Sequence, residues 1–305
     1  MEYVNKDSRV KVIDKENRGY GHSMNCGFDM AEGEYISIVE SDDYAELDML
    51  EKLYSTAKKN ELDVCKGSFF WYFSYPEEKN LPFLGFSEMR KDVFCPTTDF
   101  KSLKEQAFFF SIKPTIWSAI YRKGFIRENG IRFNETPGAS FQDTSFNFKV
   151  WALAKRVQLL KDAVIHYRQD NEGSSVNSKG KTFCVCDEFA EMERFINDNS
   201  SLAPLLPILT YRKLETYIWN YERLNEEEGL KFLLVASKEL SKDVEDLRVI
   251  KDLYPAKKLK ALNYIIKKPI KYHKNFRQPN GFLKRIAKKL LYSLCRKDKY
   301  EAYDK

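Results

Sequence analysis

The sequence lacks the features that would assign several function classes at once. No two cysteines have the C-x-x-C spacing of zinc ribbons. The longest apolar runs, such as FLLVA, are far too short to cross a bilayer. The N-terminal stretch MEYVNKDSRVKV is charged and has no apolar core, so it does not read as a secretory signal. With no secretion signal we expect reduced thiols and a cytoplasmic protein. The six cysteines are Cys26, Cys65, Cys95, Cys184, Cys186 and Cys295.

The composition is that of a folded protein with an unevenly distributed charge. The 305 residues are 43% hydrophobic and 14% aromatic, enough for the core of one large or two modest domains. The net charge is +6, yet the segment from Pro255 onward holds 16 Lys or Arg against 3 Asp or Glu. This tail predicts binding to an anionic surface, either phospholipid or nucleic acid.

Strand-like and helix-like segments alternate in the first part of the chain. Strands alternating with helices favour an α/β protein with a largely parallel sheet. After about residue 180 the pattern becomes helical, so we predict two regions, 1–180 and 181–305. The leading segments are a strand at 9–13, a helix at 23–31, a strand at 35–39, a helix at 47–59 and a strand at 63–73.

Four polar residues, ESDD, follow the predicted strand at 35–39. Carboxylates beyond the carboxyl end of a strand, here Glu40, Asp42 and Asp43, can hold a hard divalent cation. A second interpretation is that Asp43 caps the next helix, with Glu46 completing a capping box. The motif taken alone favours the cap.

Three other segments also have a functional and a structural interpretation. In NRGYGHSMNCG, Gly19 and Gly21 permit a tight turn before a helix, which could bind phosphate or form an ordinary N-cap. Asp143 stands at a predicted helix start, as a cap or as a general base. His166 and Arg168 on a predicted strand could face an anionic ligand, and Arg is suited to phosphate.

The order of these motifs is more specific than any one of them. An N-x-G-x-G-x-x-x-N loop, A-x-G-E-Y-I, S-D-D, IWSAIYRKGFIRENGIRF, an aromatic-Q-D and HYRQ follow one another. This order resembles family 2 glycosyltransferases of the GT-A fold, of the bacterial type that builds surface polysaccharides. The resemblance covers about residues 9–177. It implies a Rossmann-like, mostly parallel sheet flanked by helices and followed by a mainly helical C-terminal region.

The resemblance also implies an activity and a set of site residues. We expect a metal-dependent, inverting hexosyltransferase that moves a sugar from a UDP-sugar to a glycan or lipid-linked glycan hydroxyl. Asp42 and Asp43 would hold Mn²⁺ or Mg²⁺, with Glu40 and His166 as further candidate ligands. Asp143 would be the catalytic base. The donor would be bound by Asn17, Gly19, Asn25, Asp42 and Arg168.

The sequence departs from the family pattern in two ways. Glu40 and Gln142 stand where the family usually has Asp and Glu. The first two strands of the family, which form the pocket for the nucleotide base, have no counterpart, and a sheet without them would expose open edges. An alternative hypothesis is therefore a catalytically incomplete remnant, or a subunit completed by another chain in a homo- or hetero-oligomer.

The basic tail supports a membrane surface rather than a nucleic acid. After Gly281, apolar residues recur every fourth position between basic ones, which is typical of an interfacial helix on anionic lipid. A solvated basic helix packed on the body is the other interpretation. We expect a protein peripheral to the inner face of the cell membrane. Nucleic-acid binding through Tyr264, Tyr272 and Phe276 is the weakest hypothesis, since no known motif accompanies them.

Overall fold

A computed structural model describes residues 2–83, 92–139, 141–171 and 180–277. A mixed sheet with flanking helices forms the first part, and helices alone form the last. In chain order the elements are α1 (Glu2–Lys6), α2 (Tyr20–Met30), β1 (Tyr35–Ser37), β2 (Tyr44–Ala45), α3 (Met49–Lys59), β3 (Val64–Phe73), β4 (Lys79–Pro82), α4 (Leu103–Phe110), β5 (Ala119–Arg122), α5 (Lys123–Glu128), α6 (Gln142–Leu153), β6 (Val157–Arg168), α7 (Cys184–Asp198), α8 (Leu206–Arg223), α9 (Glu226–Glu245), α10 (Ala256–Lys267) and α11 (Pro269–Arg277).

The sheet is mixed and mainly antiparallel. Its order is β1-β5-β3-β6-β2, and β4 pairs with the second half of β3. Among the described strands only β3 and β6 run parallel; β5 runs antiparallel to both β1 and β3, and β2 antiparallel to β6. The α/β class is confirmed, but the prediction of a mostly parallel sheet is wrong. The reason is that β5 turns back between β1 and β3, a long-range pairing that local periodicity does not reveal.

The predicted strand at 9–13 does not form. Residues 10–19 have no regular secondary structure, and Val10, Val12 and Ile13 are exposed. A strand is stabilised by hydrogen bonds to a neighbour, and no described strand pairs with this segment. An apolar alternation without a partner therefore stays irregular.

The helix after ESDD is confirmed, but it begins two residues later than predicted. α3 begins at Met49 instead of Leu47, and it buries Met49, Leu53 and Ala57. Leu47 precedes the helix and is fully exposed, at 107% of its reference area. The face that packs on the sheet is therefore set by where the helix starts.

The helices after residue 183 pack directly on the sheet region. α7 contacts α6, α8 contacts α4, and the buried side chains form one continuous cluster from Phe28 to Ile265. Local sequence explains several helix ends. Asn225 caps α9 by accepting a hydrogen bond from the Glu228 amide. Three glutamates in the first turn of α9 interact favourably with the positive end of the helix dipole. The core thus crosses residue 180, and the two-domain division stays a prediction.

Within the described ranges, no helix combines the length and apolarity needed to span a bilayer. The predicted interfacial helix after Gly281 lies outside the described residues.

Candidate active site

Asp43 sits in a turn beyond the end of β1 and has one carboxylate oxygen without a partner. Its amide donates to the Glu40 carbonyl at 3.2 Å, which closes the turn. Its Oδ1 accepts from the Arg168 amide at 2.9 Å, whereas its Oδ2 is buried and has no hydrogen bond among the described residues. Burial raises the pKa of Asp43 to about 6. The interpretation of Asp43 as a helix cap is wrong, because the N-cap of α3 is Asp48.

Asp42 is exposed beside it and is tied to the end of β6. Its Oδ2 accepts from Asn171 at 2.7 Å, and its backbone carbonyl accepts from Arg168 Nε at 3.1 Å. Arg168 also donates through Nη1 to Ser74 Oγ at 3.0 Å. Arg168 therefore lies at the predicted site, but its guanidinium braces the Asp42–Asp43 turn in this structure. Its predicted contact with a diphosphate stays a prediction.

Glu40 is bound by an aromatic hydroxyl. Tyr20 donates from its hydroxyl to Glu40 Oε1 at 2.6 Å. Burial is the main cause that raises the pKa of Glu40, and the nearby charge of Asp42 adds to it. In the part of the chain that the structure describes, no three His, Cys, Asp or Glu residues form a group able to hold a metal. The predicted binding of a metal by Asp42 and Asp43, with Glu40 as a further candidate, stays a prediction.

His166 does not belong to the site. Its ring stacks on Tyr44, at 4.1 Å between centroids, and on Phe70 at 4.7 Å. Its Nε2 lies 2.7 Å from Glu46 Oε1 and its Nδ1 lies 2.6 Å from Asn80 Oδ1. Both ring nitrogens are engaged, so the proposal of His166 as a metal ligand is wrong. Strand alternation is the reason, because His166 and Tyr167 point to opposite faces of β6.

Asp143, in the first turn of α6, shares its surroundings with the Asp42–Asp43 turn. Burial raises its pKa to about 6; Glu40 also raises it, while Lys113 and Arg212 lower it. Tyr167 is affected by both parts of the site. Burial is the main cause that raises its pKa to about 12, and the charges of Asp43, Asp143 and Asp42 also raise it. The acidic residues that follow β1 and Asp143 in the first turn of α6 therefore all lie within electrostatic range of Tyr167. We call Glu40, Asp42, Asp43 and Asp143 the acidic cluster.

Two basic residues at this cluster were missed by sequence reasoning. The exposed Lys113 places its ammonium 4.1 Å from the centre of the Tyr167 ring and 4.8 Å from that of Trp71. Arg212 on α8 is buried, and its Nη1 has no partner among the described residues. Burial lowers the pKa of Arg212 to about 10, and Asp143 opposes that shift. No local motif marks either residue, because only the packing of α8 and of the segment after α4 brings them here.

Gly19 and Gly21 allow the backbone at the start of α2 to pack closely against a neighbouring segment. Asn17 Oδ1 accepts from the Gly19 amide at 3.0 Å and so closes the turn itself. Gly19 has φ +89°, and a Cβ there would lie 2.7 Å from the Thr136 carbonyl oxygen. A Cβ on Gly21 would lie 2.0 Å from the Asn134 carbonyl oxygen. Both glycines let α2 start against residues 134–138, so donor binding by Asn17 and Gly19 stays a prediction.

Asn25 is a structural residue rather than a donor ligand. It is buried and donates from Nδ2 to the Phe133 carbonyl at 3.0 Å and to Glu135 Oε1 at 2.9 Å. Its Oδ1 accepts from the Phe133 amide at 2.9 Å. Both ends of the side-chain amide are therefore hydrogen-bonded to the 133–135 segment, which holds α2 in place. The predicted role of Asn25 in donor binding is wrong.

The side-chain amide of Gln142 stabilises the loop before α6. It is buried at the start of α6, and its Nε2 donates to the Thr136 carbonyl, the Thr136 hydroxyl and the Gly138 carbonyl at 2.9–3.2 Å. An ionised glutamate has no donor for these oxygens. Gln142 therefore fixes the loop that receives Gly19 and leads to Asp143.

This fold and site define a class of protein. The structure matches *S. aureus* TarS 1–349 in complex with UDP-GlcNAc with a TM-score of 0.64 at 18% identity, over 92% of this chain and 80% of that chain. At this identity the likeness concerns the fold alone, which is of the GT-A type. The same TarS fragment in complex with UDP gives a TM-score of 0.62.

Sequence comparisons find similarity to glycosyltransferases. Residues 1–117 match the model "Glycosyl transferase family 2". The uncharacterized glycosyltransferase EpsJ of *Bacillus subtilis* is 28% identical over 171 residues, 55% of this chain and 47% of EpsJ. TarS of *Staphylococcus aureus*, a poly(ribitol-phosphate) β-N-acetylglucosaminyltransferase, is 26% identical over 199 residues, 64% of this chain and 31% of TarS. The similarity to family 2 glycosyltransferases confirms the resemblance, and the chain spans about half or less of the length of these curated relatives.

Proposed function

We propose that this protein is an inverting glycosyltransferase that moves a sugar from a UDP-sugar to a glycan hydroxyl during surface-polysaccharide synthesis. The observation that supports this most is the meeting of Asp42, Asp43 and Asp143 around Tyr167 at one end of the sheet. Ligands bind in α/β folds at that kind of strand end. TarS, which has the same fold, was solved with UDP-GlcNAc, and this favours a UDP-sugar as donor.

Asp42 and Asp43 suit a hard divalent cation such as Mn²⁺ or Mg²⁺. The buried Oδ2 of Asp43 lacks a partner among the described residues, and a cation would satisfy it. Two carboxylates do not complete a coordination sphere, so diphosphate oxygens and water would supply the rest. A bound cation would neutralise charge on the leaving diphosphate.

Asp143 is the proposed general base. A carboxylate with a pKa of about 6 is ionised at neutral pH and still basic enough to accept a proton. Asp143 takes the proton of the acceptor hydroxyl while that oxygen bonds to the anomeric carbon. The bond from the anomeric carbon to the phosphate oxygen breaks on the opposite face, which inverts the configuration. The nucleoside diphosphate leaves with the bonding electrons.

The neighbours of the acids have supporting roles in this proposal. Arg168 and the Tyr20–Glu40 hydrogen bond hold the turn that carries Asp42 and Asp43. Lys113 lies close enough to lower the pKa of both Asp43 and Asp143, so it adds positive charge where the diphosphate would lie. The basic tail would hold the enzyme at an anionic membrane near a lipid-linked acceptor.

Release of UDP from a panel of UDP-sugars, measured with Mn²⁺, Mg²⁺ or EDTA, tests the proposed function. We expect metal-dependent turnover of one donor, which Asp42→Asn abolishes and Asp48→Asn leaves unchanged, because Asp48 lies outside the acidic cluster. Donor turnover that is unaffected by EDTA and by Asp42→Asn would contradict the proposal.

One observation favours a second candidate, a subunit that another polypeptide completes. Among the described strands, β1 pairs only with β5, so its other edge is open. Light scattering with the turnover assay separates the candidates. Active monomers exclude the second, whereas an inactive chain that becomes active only in a complex supports it.

A further inference from the structure

An aromatic and basic surface lies directly beside the proposed base. The Phe141 ring, two residues before Asp143, contacts the Trp219 ring edge-on at 5.6 Å between centroids. The Arg223 guanidinium lies 5.2 Å from the Phe141 ring and 5.4 Å from the Trp219 ring. The Lys181 ammonium lies 5.9 Å from the Phe141 ring. We call these four residues the Phe141 surface; Trp219 is 43% exposed, so the surface is open to solvent.

Helix α8 connects this surface to the base. Arg212, Trp219 and Arg223 are spaced by seven and four residues, which places them within about 40° of one another around the helix. At the start of this stripe the charge of Arg212 acts on Asp143. At its end Arg223 lies over Phe141. The stripe thus runs outward from the base over about 16 Å, the rise of eleven helical residues.

The backbone of Phe141 is held in an unfavourable conformation. Its φ of 67° and ψ of 24° are left-handed, which is uncommon for a bulky residue other than glycine. Its carbonyl accepts from the Thr144 amide at 2.9 Å, and Gln142 fixes the preceding loop. Residues held in such conformations concentrate at ligand sites. Here the conformation directs the ring toward Trp219 and Arg223.

The surface gathers positive charge around its aromatic rings. Arg223 donates to the Lys181 backbone carbonyl and to Asn220 Oδ1, both at 2.9 Å, which holds its guanidinium over the Phe141 ring. Burial lowers the pKa of Lys181, and the Arg223 charge lowers it further. An anion bound beside both side chains would form charge-assisted hydrogen bonds with them.

We propose that the Phe141 surface binds the acceptor and that the acceptor is an acidic glycan. A sugar ring packs on Phe141 and Trp219, and a phosphate or carboxylate on the glycan pairs with Arg223 and Lys181. This arrangement leads the acceptor along α8 to Asp143, on a different element from the Asp42–Asp43 turn that would bind the donor. The inference rests on the proposed function and adds a class of acceptor to it.

Calorimetric titration of the full chain with three oligomers of equal length tests this inference. The probes are a glycerol-phosphate oligomer, a galacturonate oligomer and a neutral malto-oligosaccharide. We expect at least one acidic oligomer to bind about tenfold or more tightly than the neutral one, and Arg223→Gln and Trp219→Ala to remove that difference. Lys181→Gln keeps the fold-stabilising hydrogen bonds of Arg223 and should weaken acidic binding as well. Lys257→Gln, on the exposed side of α10, is the matched charge control and should bind like the wild type.

The three probes and UDP distinguish the outcomes. Binding of the phosphate oligomer alone, the galacturonate oligomer alone, or both supports the inference and identifies the anion. Equal binding of the neutral oligomer, binding of none, or wild-type affinity in Lys181→Gln and Arg223→Gln overturns it. UDP binding, titrated separately with Mn²⁺, should be unchanged in these variants. If the wild type does not bind UDP, the proposed donor site is refuted, and this conclusion does not depend on the oligomer titrations.

Discussion

The two ends of the sheet both carry acidic residues that are at least partly buried, but the hydrogen bonds of these residues differ. At the end where β3 and β6 begin, Asp63 is 6% exposed, and both its oxygens are bound. Its Oδ1 accepts from Arg122 Nη2 at 2.8 Å, and its Oδ2 accepts from the Lys155 and Arg156 amides at 2.9 and 3.2 Å. At the other end Asp43 Oδ2 has no such partner among the described residues.

This difference separates a structural carboxylate from a functional one. A buried carboxylate whose hydrogen bonds are complete contributes to folding, and its removal leaves a charge and two amides unpaired. A buried carboxylate without a partner destabilises the fold unless a ligand completes it. The acidic cluster therefore costs stability at neutral pH, which is typical of a site that acts on a ligand.

The largest expected effect is on turnover at the acidic cluster. Asp143→Asn should lower kcat by about 10²- to 10⁴-fold, because the amide cannot accept the acceptor proton. Its free energy of unfolding should change by less than about 1 kcal/mol, as the residue has no ion pair in the described structure. Transfer assays and urea unfolding measure the two quantities. A variant that unfolds readily yet keeps its turnover would reverse the assignment of the two ends.

The opposite end should respond in stability instead. Asp63→Ala should lower the free energy of unfolding by about 3 kcal/mol, because it leaves Arg122 and two backbone amides without the carboxylate that accepts their hydrogen bonds. The control is Asp29→Ala, which removes the exposed pair with Arg132 and should cost less than about 1 kcal/mol. Chemical denaturation compares them. Equal losses in both variants would show that Asp63 has no special structural role.

A smaller loss of stability is expected from Gln142→Glu, about 2 kcal/mol, because the new carboxylate cannot donate to the Thr136 and Gly138 carbonyl oxygens and would repel them. Thermal unfolding of the variant and of the wild type at pH 7 measures this loss. A neutral Gln142→Glu would mean that the loop does not depend on these hydrogen bonds.

The smallest effect is a pH dependence with a defined sign. The pKa of Asp43 is raised from 3.8 to about 6, so the folded state favours its protonated form. The resulting stability is present below pH 3.8 and is lost as the pH rises through about 6. Asp43→Asn removes this loss. A shift of about two pKa units corresponds to at most about 3 kcal/mol, and solvent screening of this partly exposed side chain reduces the expected gain over the wild type to about 1 kcal/mol at pH 8, with little difference near pH 4. Urea unfolding at both pH values checks this, and a less stable variant at pH 8 would contradict it.

Local patterns placed acidic residues at the end of β1 and at the start of α6, because strand ends and helix starts can be read from periodicity. They left Asp43 and Asp143 as either helix caps or functional groups, and only the resemblance to family 2 glycosyltransferases predicted the roles of Asp42, Asp43 and Asp143. The roles of Asn25 and His166 were misjudged, since their partners Phe133 and Glu46 are set by packing between distant segments. Lys113 and Arg212 were missed for the same reason. The direction of β5 also depends on pairing between strands far apart in the chain.

The most direct test of the account is calorimetric titration of UDP into the full chain with and without Mn²⁺. We expect that UDP binding requires Mn²⁺ and that Asp43→Asn abolishes it. Asp63→Asn should still bind UDP under conditions where that variant is folded. Metal-independent binding, or Mn²⁺-dependent binding that survives Asp43→Asn, would contradict the claim that the unpartnered carboxylate belongs to the donor site.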